Sequence, residues 1–275
     1  MFKNLIVGCS AVLIMAGTLN AAPGPLAHLP PPVQKGIRAQ LGDGRVRSVE
    51  RDDENGDVTY DVEIIRQGKT RSFTVGADGE LIDSEVFVEE LPPAIQQAIK
   101  TKVGTATLGE IDKSASDGEA DYDVEMIGGG KTRNFTIDAS GKLTDEEVFL
   151  AELPETLRLS IGKAVGTGTL DDITRSFESG AVFYDVDAIE GNKTVTLTFD
   201  AKGSLVSKQE DVALSEVPDA AQKQIQTLAS SGKVISVAKV SENDVVSFDV
   251  DIRDGGKVKS YTVSVDGKAV LADAN

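Results

Sequence analysis

The segment Tyr60-Asp61-Val62-Glu63 returns as Tyr122-Asp123-Val124-Glu125, as Tyr184-Asp185-Val186-Asp187 and as Phe248-Asp249-Val250-Asp251. The steps are 62, 62 and 64 residues (122−60, 184−122, 248−184). Strict apolar/polar alternation marks a strand with one buried and one wet face. A motif repeated at this fixed spacing means one supersecondary unit made four times. The question of fold therefore reduces to one unit of about 62 residues, which on its own buries only about 60% of its unfolded surface and needs neighbours.

Each unit opens on Leu-Pro or Val-Pro: Leu29-Pro30, Leu91-Pro92, Leu153-Pro154 and Val217-Pro218. Proline suits the first turn of a helix and is rejected from its interior. Apolar residues follow at i, i+4 and i+8: Val33, Ile37, Leu41; Ile95, Ile99, Val103; Leu157, Ile161, Val165; and Ala221, Ile225, Ala229 with Leu228. That spacing predicts an amphipathic helix of about three turns. Strand-like runs come next, separated by Asn55-Gly56, Asp117-Gly118, Ser179-Gly180 and Asn243-Asp244, then by Gly68-Lys69 and its counterparts, then by Gly79, Gly141, Gly203 and Gly267. Asn-Gly between two strands favours a tight hairpin, because both central residues adopt positive φ. The expected class is α+β: four tandem repeats, each an N-terminal helix packed on a four-stranded antiparallel meander. The repeats span 29–90, 91–152, 153–216 and 217–275, the last acting as a cap. Apolar links, Val86-Phe87-Val88, Val148-Phe149-Leu150 and Val212 with Leu214, are expected to bury contacts between repeats.

Residues 1–22 read as an export signal. Lys3 supplies the positive start, Leu5 to Leu19 a short apolar run, and cleavage falls after Ala21 or Ala22. Cys9, the chain's single cysteine, sits inside this segment in a context that is similar to a lipid-attachment box. Residues 23–28 form a linker. The expected address is periplasmic or secreted, in a bacterial envelope, with no membrane span once the signal is gone. The mature chain has no thiol, so it is held by packing rather than disulfides.

Formal net charge is −17 over 275 residues. Such acidity excludes nucleic acid as a partner, since phosphate binding needs clustered Lys and Arg. Nucleophilic triads require a placed His or Cys; the single His28 stands in the linker. No His/Cys spacing suits zinc. Asp52-Asp53-Glu54-Asn55-Gly56-Asp57 superficially follows a calcium loop, but Arg51 and Val62 occupy its first and last ligand positions. It reads as a charged hairpin. The expectation is no enzyme, no cofactor and no metal.

The order Leu-Pro helix, Tyr-Asp-Val-Glu, Gly-Lys, aromatic strand and Gly-x-Leu resembles the PepSY-like domains of the β-lactamase-inhibitory-protein type. The residues that carry it are Leu91-Pro92, Tyr122–Glu125, Gly130-Lys131, Phe135 and Gly141-Lys142, with their counterparts in the other repeats. The resemblance implies exported, non-catalytic bacterial modules, some of which inhibit hydrolases or peptidases with an open sheet face. This chain departs from the dedicated lactamase inhibitor in having four repeats and no disulfides.

The implied function is a non-enzymatic exported protein-binding module, with a basic protein or a hydrolase as partner. The alternative is a structural envelope or matrix repeat protein acting as a spacer. The expected contacts are the outward acids Asp61, Glu63, Asp123, Glu125, Asp185 and Asp187, which strand alternation turns away from the core. Charge is also graded. Residues 29–90 carry 8 basic and 14 acidic side chains, 91–152 carry 6 and 12, 153–216 carry 6 and 11, and 217–275 carry 7 and 8.

Overall fold

A computed structural model describes residues 26–54, 57–116, 119–191, 193–230, 232–254 and 257–272. The export segment, Cys9 and the Asn55-Gly56 and Asp117-Gly118 turns lie outside the described residues. The element order is α1 (Pro31–Leu41), β1 (Arg45–Glu54), β2 (Asp57–Arg66), β3 (Lys69–Gly76), β4 (Leu81–Glu85), α2 (Pro93–Val103), β5 (Thr107–Ser116), β6 (Glu119–Gly128), β7 (Lys131–Asp138) and β8 (Leu143–Glu147). It continues as α3 (Glu155–Val165), β9 (Thr169–Glu178), β10 (Ala181–Glu190), β11 (Lys193–Asp200), β12 (Leu205–Asp211), α4 (Asp219–Leu228), β13 (Lys233–Glu242), β14 (Val245–Asp254), β15 (Lys257–Ser264) and β16 (Ala269–Leu271).

Local chemistry sets these elements. Pro30, Pro92, Pro154 and Pro218 cap the helices at φ −53° to −56°, a value their rings impose. The first three helices end on Gly42, Gly104 and Gly166 at positive φ; α4 has Ala229 there at φ −84°. The buried stripe falls on Val33 and Ile37, Ile95 and Ile99, Leu157, Ile161 and Val165, and Ala221 and Ile225.

Contacts divide the chain into a unit ending at Ile82 and a unit from Asp83 onward. In the first, α1 covers β2 and β3, and Leu26, Leu29, Val33, Ile37, Tyr60, Val62, Ile64, Phe73 and Val75 form the core. Leu26, within the expected linker, is thus part of that core, while His28 is exposed. The helix lies against the β3–β4 turn with no room between backbones. A Cβ on Gly36 would meet the Gly79 carbonyl oxygen at 2.2 Å.

The second unit holds three cores, one under each of α2, α3 and α4. The sheet beneath them does not stop at four strands. From Asp83 to Leu271 each strand pairs antiparallel with its chain neighbours, including across the repeat seams. At these seams Ser84 faces Lys113, Glu146 faces Arg175 and Glu210 faces Lys239. Each seam is extended by one further bond from a link residue. The amides of Val86, Val148 and Val212 donate to the carbonyls of Ile111, Ile173 and Val237 at 2.8, 2.9 and 3.0 Å.

The apolar links differ from expectation in where they bury. Val86 and Val88, Val148 and Leu150, and Val212 and Leu214 join the core of the repeat that follows them. Phe87 and Phe149 are only half-buried. Phe149 lies under two cations, with Lys131 Nζ 3.9 Å and Arg133 Cζ 4.2 Å from its ring centroid. Short 3-10 helices at Val88–Glu90, Leu150–Glu152 and Leu214–Glu216 turn the chain into the next helix. Glu90, Glu152 and Glu216 fix these turns by accepting the amides of Phe87, Phe149 and Ala213 at 3.0, 3.0 and 2.7 Å.

Candidate protein-binding face

Tyr60, Tyr122, Tyr184 and Phe248 are all buried, so the intervening acids of the recurring strand project from the opposite, helix-free face. The first acid of each motif meets a threonine directly across the next strand. Thr74 donates to Asp61 at 2.9 Å, Thr136 to Asp123 at 2.6 Å, Thr198 to Asp185 at 2.7 Å and Thr262 to Asp249 at 2.8 Å. This bond satisfies one oxygen of each carboxylate and holds its rotamer; it leaves the negative charge in place.

The second acids are held less uniformly. In the first unit Glu63 receives Arg47 at 2.6 Å and Ser48 at 3.2 Å. Glu125 lies over Gly109, where an added Cβ would meet its Oε1 at 2.4 Å. Asp187 accepts from Thr196 at 2.7 Å, and Asp251 accepts from Ser236 and Ser260 at 2.8 and 2.6 Å.

Within the second unit the seams bring in acids that the recurring motif does not contain. Glu85 on β4 faces Asp112 on β5, and Asp112 faces Asp123 on β6. Asp145 on β8 faces Thr136, the threonine that binds Asp123. Glu147 faces Thr174 on β9, which faces Asp185 on β10, and Asp172 faces Asp187. Like charges directly opposite in a sheet are destabilising. The effect shows in their proton affinities. Burial, then the nearby charges of Asp83, Glu110, Glu85 and Asp123, raise Asp112 to about 6. Burial is also the leading cause that pushes Asp145, Asp172, Asp185 and Glu147 up.

The face loses its charge toward the end of the chain. On β12 to β14 the corresponding positions include the uncharged Ser207, Gln209, Val240, Ala238 and Ser247, and the acids there are Asp211, Glu242, Asp249 and Asp251. The structure thus brings Asp123, Glu125, Asp185 and Asp187 onto one continuous sheet face. It adds Glu85, Asp112, Asp145, Glu147 and Asp172, which single-repeat reading missed. Their only sequence signal was alternation within β4, β5, β8 and β9; the pairing that juxtaposes them is not written there. Among the described residues no group of three or more acids, histidines or cysteines is arranged to hold a metal ion. No helix among them is long and apolar enough to cross a membrane.

A family model described as "Putative beta-lactamase-inhibitor-like, PepSY-like" matches residues 20–82, 58–145 and 182–263, more than half of the chain. No curated protein matches the chain in sequence. Among solved structures it is similar to a DUF2874 family protein from Bacteroides uniformis, at 19% identity over 42% of this chain and 86% of that one, with a TM-score of 0.37. A BLIP-like protein from Bacteroides fragilis is similar at 15% identity over 45% of this chain and 88% of that one, with a TM-score of 0.38. A protein from Bacteroides eggerthii described as a "putative periplasmic" protein is similar at 19% identity over 43% of this chain and 86% of that one, with a TM-score of 0.38. From the repeated strand motif and the three family-model matches, the chain belongs to the PepSY-like, beta-lactamase-inhibitor-like family.

Proposed function

We propose that this chain is an exported, non-enzymatic protein-binding module that presents its acidic sheet face to a basic protein surface. The observation that carries the reading is the stacking of acid against acid across strands, Glu85 on Asp112 on Asp123 and Asp172 on Asp187. Folding alone disfavours that arrangement. A cationic partner would compensate it, and its association would be steered by the field of the whole face. The family description, beta-lactamase-inhibitor-like, favours a hydrolase as the partner, with this chain as its inhibitor. Asp123, Glu125, Asp185 and Asp187 are the proposed contacts in the second unit, and Asp61 and Glu63 are their counterparts in the first.

The test uses a variant in which Asp61, Asp123, Asp185 and Asp187 become Asn and Glu63 and Glu125 become Gln. A partner recovered from bacterial envelope extract is purified, and its association rate is measured against ionic strength for both forms. The reading expects slower association and a flatter salt slope for the variant, because exposed charges act through a screened field. Identical slopes would reduce these acids to a solvated face and overturn it.

A further inference from the structure

We propose that the outer edge of β1 is a strand-accepting site for an extended segment of another protein, reading basic–acid–basic–apolar with its acid opposite Arg51. This inference rests on the edge of β1 and does not require the proposed function.

The argument starts from the seams. In the second unit, first strands β5, β9 and β13 each receive a preceding strand at Asp112–Ser114, Thr174–Ser176 and Ala238–Glu242. One repeat spacing earlier these positions begin at Glu50, Arg51 and Asp52 on β1 (112−62, 113−62, 114−62). Among the described residues β2 is the strand that β1 pairs with. The consequence shows in burial. Ile111, Ile173 and Val237 are buried to 2%, 2% and 7% exposure, whereas the corresponding Val49 is only partly buried. A core position that its siblings bury under an incoming strand and link is only partly covered here.

The seams also specify the incoming chemistry. At two of the three, the base on the first strand meets an acid on the incoming one: Arg175 Nε donates to Glu146 at 2.9 Å and Lys239 Nζ to Glu210 at 3.1 Å. The remaining seam has Ser84 opposite Lys113. Arg51 occupies the place of Arg175 and Lys239, beside Tyr60 as they stand beside Tyr184 and Phe248. Its side chain is half exposed and engages Asp53 at 2.6 Å, a surface pair of small net worth that an incoming carboxylate can replace. Two residues after the acid, Val148 and Val212 pack into the core and bond to the first strand. An incoming chain therefore places an apolar residue over Val49. The neighbours of Arg51, Glu50 and Asp52, face the other side of the strand and call for bases flanking the acid. The chain's own residues one spacing before Ser84, Ala21-Ala22-Pro23, supply neither the acid nor the flanking bases that this edge matches, and the proposed complement is a segment of another molecule. Charged side chains along an edge strand repel indiscriminate pairing, and here they also select.

The probe is a capped peptide, Ser-Lys-Glu-Lys-Val-Phe-Leu, carrying a fluorophore and titrated against the full protein, with hydrogen exchange followed along β1. The expected result is saturable binding with slowed exchange at residues 49–53. Arg51→Glu weakens it roughly tenfold or more, and a peptide with Lys in place of Glu recovers binding to that variant. The Asn/Gln variant of the acidic face still shows saturable binding with exchange slowed at residues 49–53. Exchange slowed on β6 and β7 rather than on β1, or no binding to the unaltered protein, would overturn the proposal. So would a charge swap that fails to restore affinity in a variant whose circular dichroism is unchanged. The exchange measurement on the unaltered protein decides the question even where the substitution perturbs folding.

Discussion

Glu146 on β8 and Arg175 on β9 stand directly opposite across the seam between the second and third repeats, joined by an ion pair that Lys102 of α2 completes. The Glu146 side chain is 8% exposed. One carboxylate thereby ties the end of a helix to the first strand of the next repeat. Replacing it with Gln leaves two cations without their partner, at a cost of roughly 1–3 kcal/mol at neutral pH, since both cations keep partial access to water. Urea denaturation of the two proteins at pH 7 measures this directly.

The same residue gives a pH signature. Burial pushes Glu146 up, but hydrogen bonds from Lys102 and Arg175 outweigh it, and the net shift is down. An acid with a depressed folded pKa contributes stability that is fully present above its unfolded value, about 4.3, and is lost as pH falls through the folded value. The destabilisation of Glu146→Gln should therefore shrink as the denaturation series is carried into the acid range. A deficit of constant size would show that packing, not charge, holds the seam.

Asp112 has the opposite sign. Its folded pKa of about 6 lies above the unfolded value, about 3.9, so the folded state binds the proton more tightly. Stability then falls as pH rises between those two values, and the deficit persists above them. Asp112→Asn is expected to stabilise the protein at pH 7 by about 1 kcal/mol, a figure discounted for the group's partial solvent access. At pH 4 the gain should nearly vanish. Melting temperatures at both pH values check it, and a loss of stability at pH 7 would contradict the acid-on-acid strain.

Tyr122 is 5% exposed and its ring belongs to the core under α2. Tyr122→Ala should cost about 3–5 kcal/mol, as large-to-small core changes do. Phe149→Ala should cost far less, about 1 kcal/mol, because its ring is half-exposed and what it loses is chiefly the stacking of Lys131 and Arg133. Equal losses from the two substitutions would place Phe149 in a core after all.

Gly36→Ala tests the closeness of helix and turn in the first unit. The atom that an added Cβ would strike is a backbone oxygen, which cannot rotate aside. The expected loss is about 1–3 kcal/mol despite alanine's better helix propensity. A stabilised variant would mean that the helix shifts freely over Gly79.

The sequence by itself determined the helices, the recurring strand and the outward direction of its acids. Each of these rests on information local to a few residues: a ring that fixes φ, a period of 3.6 or 2, a glycine that admits positive φ. Asp61, Asp123 and Asp185 were legible for that reason, and so was the burial of Tyr60, Tyr122 and Tyr184. Only the tertiary structure decided that β8 pairs with β9 and β12 with β13. A strand's edges offer the same backbone N–H and C=O groups to any partner, so side-chain alternation names the buried face but not the neighbour. For that reason Glu85, Asp112, Asp145 and Asp172 could not be joined to the acidic face from one repeat alone. Phe149 was misplaced on similar grounds. Its hydrophobicity suggested a buried contact, but the neighbouring Val148 and Leu150 take the core positions under α3, and the ring is left to the two cations at the start of β7.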